Sequence, residues 1–77
     1  MKEFDLKRGW QEVLKLLRTL VRASVRKAQP RFEDNQVVLV FSEKKAFYFQ
    51  QAQKHLEEIK AATLRVLGAN VDLKLED

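Results

Sequence analysis

His55 is the one histidine of the chain, and Glu58 stands three residues beyond it. At that spacing an imidazole and a carboxylate share one face of a helix, the smallest arrangement from which a general base can be built. A catalytic site needs more than this pair: a nucleophile or positioning donors beside the base, or three to four ligands for zinc. With no cysteine and a single histidine, the chain holds neither a thiolate nor an imidazole cluster. No Ser/His/Asp arrangement carries a recognisable local signature. The two glycines, Gly9 and Gly68, stand too far apart to make a phosphate-cradling loop. The expectation is a chain that is not an enzyme, with no catalytic, cofactor-binding or metal-ligating residues, in which His55 and Glu58 form an ordinary helix-surface pair.

The remaining chemistry is that of binding. Lys15, Arg18, Arg22 and Arg26 follow one another at steps of three, four and four, with Arg8 extending the row and only Glu12 interrupting it. On a helix this is a basic stripe, suited either to phosphates or to an acidic protein surface. It also fits the solvated back of an amphipathic helix. Phe47, Tyr48 and Phe49 are consecutive, and on a helix they point about 100° apart, so they cannot all enter a core. One of the two phenylalanines takes the inner place. Tyr48 and the other remain partly exposed, as interface anchors or as rings on which a base could stack. Lys44 and Lys45 precede them at a helix start, where the dipole gives positive charge no help. The candidate partner-binding residues are therefore Lys15, Arg18, Arg22, Arg26, Tyr48 and Phe49.

The elements that must position these residues follow from spacing. Between Phe4 and Ala28 the apolar residues Trp10, Val13, Leu14, Leu17, Leu20 or Val21, Val25 and Ala28 recur at helical steps. They make one helix of about 24 residues or two shorter ones, with a break near Thr19, a residue able to cap the second. Pro30 ends the region and pushes Gln29 towards extended geometry. Arg31 to Glu33 is a short strand with Phe32 inward, Asp34-Asn35 a tight turn, and Val37 to Phe41 a buried strand, together a hairpin. Ser42 occupies an N-cap position, and Glu43 to Leu67 is a single long helix. Its inner stripe is Phe47 or Phe49, Ala52, His55 or Leu56, Ile59, Ala62 or Thr63, Val66 and Leu67. Gly68 stops it with a positive φ. Val71, Leu73 and Leu75 then alternate with Asp72, Lys74 and Glu76, a strand with one wet face. The expected fold is α+β, ordered α(α)ββαβ, with a three-stranded mixed sheet packed on helices and the last strand returning parallel to one hairpin strand.

Seventy-seven residues suffice for a single small α/β interaction domain, 1–77, with a thin core. Residues 1–32 carry nine Lys and Arg against three Asp and Glu, a net of +6, whereas residues 33–77 carry a net of −2. The basic half attracts nucleic acid or an acidic partner. No run approaches the roughly 20 apolar residues of a membrane span, and the charged start M-K-E-F-D-L-K-R-G-W has no continuous apolar core of a signal peptide. With the absence of cysteine, the expectation is a cytoplasmic protein that does not meet a membrane.

W-Q-E-V-L-K-L-L-R, V-R-K-A-Q-P-R-F, V-V-L-V-F-S-E-K-K-A-F-Y-F and L-G-A-N-V-D-L-K-L-E together resemble the small domain that follows the ATPase and collar regions of the bacterial gamma/tau subunit, the clamp-loader subunit of DNA polymerase III. The likeness runs from about Gly9 to Glu76 and rests mainly on hydrophobic spacing. It implies a non-catalytic tail module with a small K-homology-like fold. Its role would be to tether the loader to the polymerase catalytic subunit or to the replicative helicase. It implies no ATP binding, since no Walker motif is present, and it supplies no contact residue by position. A K-homology domain grips RNA through a G-x-x-G loop, which this chain lacks. A single-stranded nucleic-acid-binding module of K-homology-like shape, making a weak single-stranded DNA contact, is the alternative function, and self-association through a sheet edge is a third.

Overall fold

The computed structural model describes residues 3–77, as two helices, a hairpin, two further helices and a last strand. The first two helices are α1 (Glu3–Leu16) and α2 (Thr19–Val25), and the hairpin strands are β1 (Gln29–Glu33) and β2 (Gln36–Val40). After a single 3-10 turn at Glu43–Lys45 come α3 (Ala46–Lys54), α4 (Leu56–Leu67) and β3 (Asp72–Glu76). The sheet order is β1-β2-β3. β1 and β2 pair antiparallel, with Phe32 opposite Val37, and β2 and β3 pair parallel, with Val37 opposite Leu73. The α+β class and the mixed sheet are as expected.

The hairpin turn is the tight one that Asp34-Asn35 calls for. Both residues have positive φ, 43° and 58°, the type I′ geometry whose twist matches that of the flanking strands. β1 begins two residues earlier than the sequence suggests and contains Pro30. That residue is tolerated because β1 is an edge strand. Val37, Leu39 and Leu73 turn one sheet face to the helices, where they join Leu6, Trp10, Val13, Leu17, Val21, Val25 and Ile59 in one buried cluster. The other face carries Gln29, Arg31, Asp72, Lys74 and Glu76, all exposed, around Val38, which is nevertheless fully buried. Arg31 and Lys74 are its cross-strand neighbours, and their aliphatic stems are long enough to cover it.

The first helical region breaks where Thr19 suggests. Arg18 is extended (φ −61°, ψ 153°) and precedes α2, so Thr19 is the first helical residue and not the cap, and no side chain caps the turn. The second region departs from the expected single helix: it bends at His55 (φ −109°, ψ 23°), between α3 and α4. The His55 N–H is shared between the Gln51 and Ala52 carbonyls, both at 3.2 Å. The packing supplies the reason. α1 lies on α4 and α2 lies on α3, so a chain that turns a corner at Leu17–Arg18 stays packed only if its partner turns as well. Ser42 has the extended geometry of an N-cap residue, but its hydroxyl makes no cap bond. Its carbonyl instead accepts the Lys45 N–H at 2.8 Å. Gly68 ends α4 with φ 92° and ψ 170°.

Candidate docking surface

The two helix corners face each other and are joined by a polar bracket. Arg18 donates to Glu58 Oε1 through Nε at 2.9 Å and Nη2 at 2.7 Å, and its backbone N–H reaches Glu58 Oε2 at 3.3 Å. Arg18 Nη2 also lies 3.5 Å from His55 Nδ1. Hydrogen bonding to Arg18 lowers the Glu58 carboxyl below its ordinary range, and the same bond raises the guanidinium. Glu58 is thus committed to Arg18 across the corner, in place of the local pairing with His55 that their spacing suggests. No base–nucleophile pair arises there, and among the described residues no group of three His, Cys, Asp or Glu is placed to hold a metal ion.

The basic stripe is mostly taken up by the fold. Arg22 is half-buried and caps α1: its Nε donates to the Leu14 carbonyl at 2.8 Å, and its Nη2 to the carbonyls of Leu17 and Lys15 at 2.9 and 3.3 Å. Leu14 and Lys15 belong to the last turn of α1 and Leu17 follows it; the Leu14 carbonyl also accepts the Leu17 N–H at 3.3 Å, so Arg22 adds a second donor there. Lys15 pairs with Glu12 at 3.2 Å on the exposed face. Of the four stripe residues, Arg26 alone is exposed without an ion pair among the described residues.

The aromatic triplet divides as helical geometry requires. Phe49 turns inward and meets Phe41 edge to face, ring centroids 5.6 Å apart. Its outer side lines a groove with Ser42, Glu43, Gln53 and Asp77. Tyr48 is half-buried, with Phe47 at its edge (5.4 Å) and the ammonium groups of Lys27 and Lys45 at 5.3 and 5.9 Å from its centroid. Phe47 is 64% exposed.

Beside Phe47, on α2, stands Leu20, 82% exposed. Both line a groove of about 150 Å³ between α2 and α3, with Ala23, Tyr48, Gln51 and His55. Arg18 meets His55 at one end of this seam and Lys27 meets Tyr48 at the other, so α2 and α3 run antiparallel along it. Neither helix contains an Asp or Glu. Leu20 and Phe47 were not singled out from the sequence as site residues. The signal available was that each competed with a neighbour, Val21 or Phe49, for one place on an inner stripe, so that one apolar residue on each helix had to be surplus.

A family model described as DNA polymerase III subunit tau, C-terminal domain, matches residues 2–77. The chain belongs to that family. No curated protein and no solved structure matches it. As a tau C-terminal domain it is a tail region of the DNA polymerase III clamp-loader subunit and has its role in DNA replication among replisome components. Among its described residues, no helix is long and apolar enough to cross a membrane.

Proposed function

We propose that this domain tethers the clamp loader to another replisome protein, the polymerase catalytic subunit or the replicative helicase, by docking through the seam between α2 and α3. The observation that carries the reading is the pair of exposed side chains Leu20 and Phe47, 82% and 64% accessible, on adjacent helices. Each forgoes the larger part of the about 1.5–3 kcal/mol that full burial of such a side chain contributes. A partner that covers both recovers it. Lys27 and Lys45, whose ammonium groups lie over the Tyr48 ring, set a positive rim that steers an acidic surface and fixes its orientation. Of the residues picked from the sequence, Tyr48 belongs to this surface, whereas Arg26 lines a separate groove with Trp10, Gln11, Leu14 and Pro30. Lys15 pairs with Glu12 on α1, and Arg18 and Arg22 support the seam by holding the corner and the end of α1. Phe49 anchors α3 to the core.

The test is co-elution of the domain with each protein at low and moderate salt, for wild type and for Leu20→Glu combined with Phe47→Glu. The reading expects one complex that survives moderate salt and is lost in the double variant, with the domain still folded. No complex with either protein, or a complex indifferent to both substitutions, overturns it. Single-stranded DNA is the weaker reading. Tyr48 offers a ring between two lysines, but those cations and Phe47 already occupy its surroundings, whereas base stacking needs an open face. DNA binding would weaken with a log–log salt slope of roughly −0.7 per phosphate neutralised.

A further inference from the structure

We infer that the seam takes a short acidic segment of a partner protein, which inserts one aromatic or leucine side chain between Leu20 and Phe47 and sets its carboxylates against Lys27 and Lys45. This rests on the reading of the seam as the docking face and adds the chemistry of what docks. Size gives the first argument. The groove, about 150 Å³, matches the roughly 150 Å³ of an apolar cavity that accepts a benzene ring, enough for one large side chain. α2 and α3 have seven and nine residues, so the seam is about 10–14 Å long, which admits roughly four extended residues. A contact of that length falls well short of the roughly 800 Å² per partner of a standard globular interface. It suits a peptide.

Charge gives the second argument. The cations at the open end, Lys27 and Lys45, face no carboxylate of α2 or α3. Glu58, at the closed end, is committed to Arg18. Glu43, though next to Lys44, lines the opposite groove with Phe49 and Asp77. Negative charge for this rim must therefore come from outside. A second copy of the chain docked symmetrically would bring the same lysines onto themselves, since a two-fold interface pairs a patch with its own copy. Like-charge juxtaposition opposes that arrangement.

The experiment is panning of a random-peptide phage library on the 77-residue chain, followed by resonance mapping with the enriched peptide made synthetically. Enriched sequences should place Phe, Trp or Leu among Asp and Glu. The peptide should shift the amides of Ala23, Tyr48 and Gln51. Its affinity should fall by about thirtyfold in Leu20→Glu, as for loss of a central anchor, and several-fold in Lys27→Glu or on added salt. Leu20 is exposed, so an unchanged thermal melt shows that Leu20→Glu remains folded. Basic or purely polar winners, no enrichment, equal binding to Leu20→Glu, or displacement of the peptide by an oligo-dT strand would each overturn the inference. The two readings fail separately. A Leu20-dependent complex with a replisome protein in the absence of peptide enrichment would leave the tether standing and remove the segment. Peptide binding without such a complex would do the reverse.

Discussion

Replacing Arg22 by Met separates a structural cation from a docking cation, and its effect can be worked from the contacts. The side chain makes three hydrogen bonds, but they are not equivalent. Those to the Leu14 and Leu17 carbonyls, at 2.8 and 2.9 Å, are partly buried, whereas that to Lys15 is exposed at 3.3 Å. Hydrogen bonds to a charged group contribute about 1.5–3 kcal/mol each when water cannot replace them. At the low end of that range for two half-solvated bonds, and nothing for the third, the sum is about 3 kcal/mol, which partial replacement by water brings to about 2–3. Met keeps the aliphatic stem, so little packing is lost. Arg22→Lys restores a positive charge at the end of α1, worth about 0.3–1 kcal/mol, but not the planar fork. The expected order is wild type, then Lys, then Met. The Met variant should melt roughly 10–20 °C lower, at about 4–8 °C per kcal/mol for a domain of this size. Trp10 is 2% exposed and sits in the core, so urea unfolding followed by its fluorescence reads the whole transition. If Arg22→Met lies within about 0.5 kcal/mol of wild type, the range of an ordinary surface substitution, the cap is not holding α1 and Arg22 returns to the list of free cations.

Gly68→Ala and Gly68→Asn should destabilise alike, by about 1–3 kcal/mol, because φ 92° with ψ 170° is a region that essentially only glycine occupies. Nothing lies within 4 Å of the added Cβ, so the cost is all backbone. An Asn variant with wild-type stability in urea would place Gly68 in the ordinary left-handed cap instead. The Glu58 carboxyl is held low by Arg18, so its contribution is complete above the usual carboxylate pKa of about 4.3 and is lost as the pH falls through the lower folded value. Melting temperature against pH should therefore fall more steeply below pH ~4 for wild type than for Glu58→Gln; parallel curves would show that the bracket contributes nothing.

The parts of this fold that were legible in the sequence are those decided locally. The stripe from Trp10 to Val25, the Asp34-Asn35 turn and the stop at Gly68 each follow from a periodicity or from one residue's conformational freedom. The bend at His55 does not. Phe49, Ala52, Leu56 and Ile59 follow one another at helical steps straight through it. What bends the chain there is the corner at Arg18, thirty-seven residues earlier, through the packing of α1 on α4 and α2 on α3. The stripe of cations was legible as a stripe, but its use was not. Arg22 spends its charge on carbonyls of its own region and Arg18 on a carboxylate forty residues away. Hydrophobic spacing carries no trace of either partner.

The proposed docking surface lies where the sequence was ambiguous. On α2 either Leu20 or Val21 could face the core, and on α3 either Phe47 or Phe49. The fold uses Val21 and Phe49, each displaced from its rival by about 100° or 200° around a helix. The two surplus residues then meet on one seam because α2 and α3 lie against each other. The fold draws little on their apolar character: Leu20 is 82% exposed, and Phe47 contributes its edge contact with Tyr48. At an exposed helical position Leu and Gln have nearly the same propensity, and a polar residue there would reduce the surface available for unwanted association. A single exposed leucine needs no explanation. Two large apolar side chains side by side, closed off at one end by Arg18, Glu58 and His55 and rimmed at the other by lysines with no carboxylate from either helix, are better explained by what they bind than by the fold that carries them. The basic stripe, the more conspicuous feature of the sequence, supports this seam through the corner and the helix end that Arg18 and Arg22 hold.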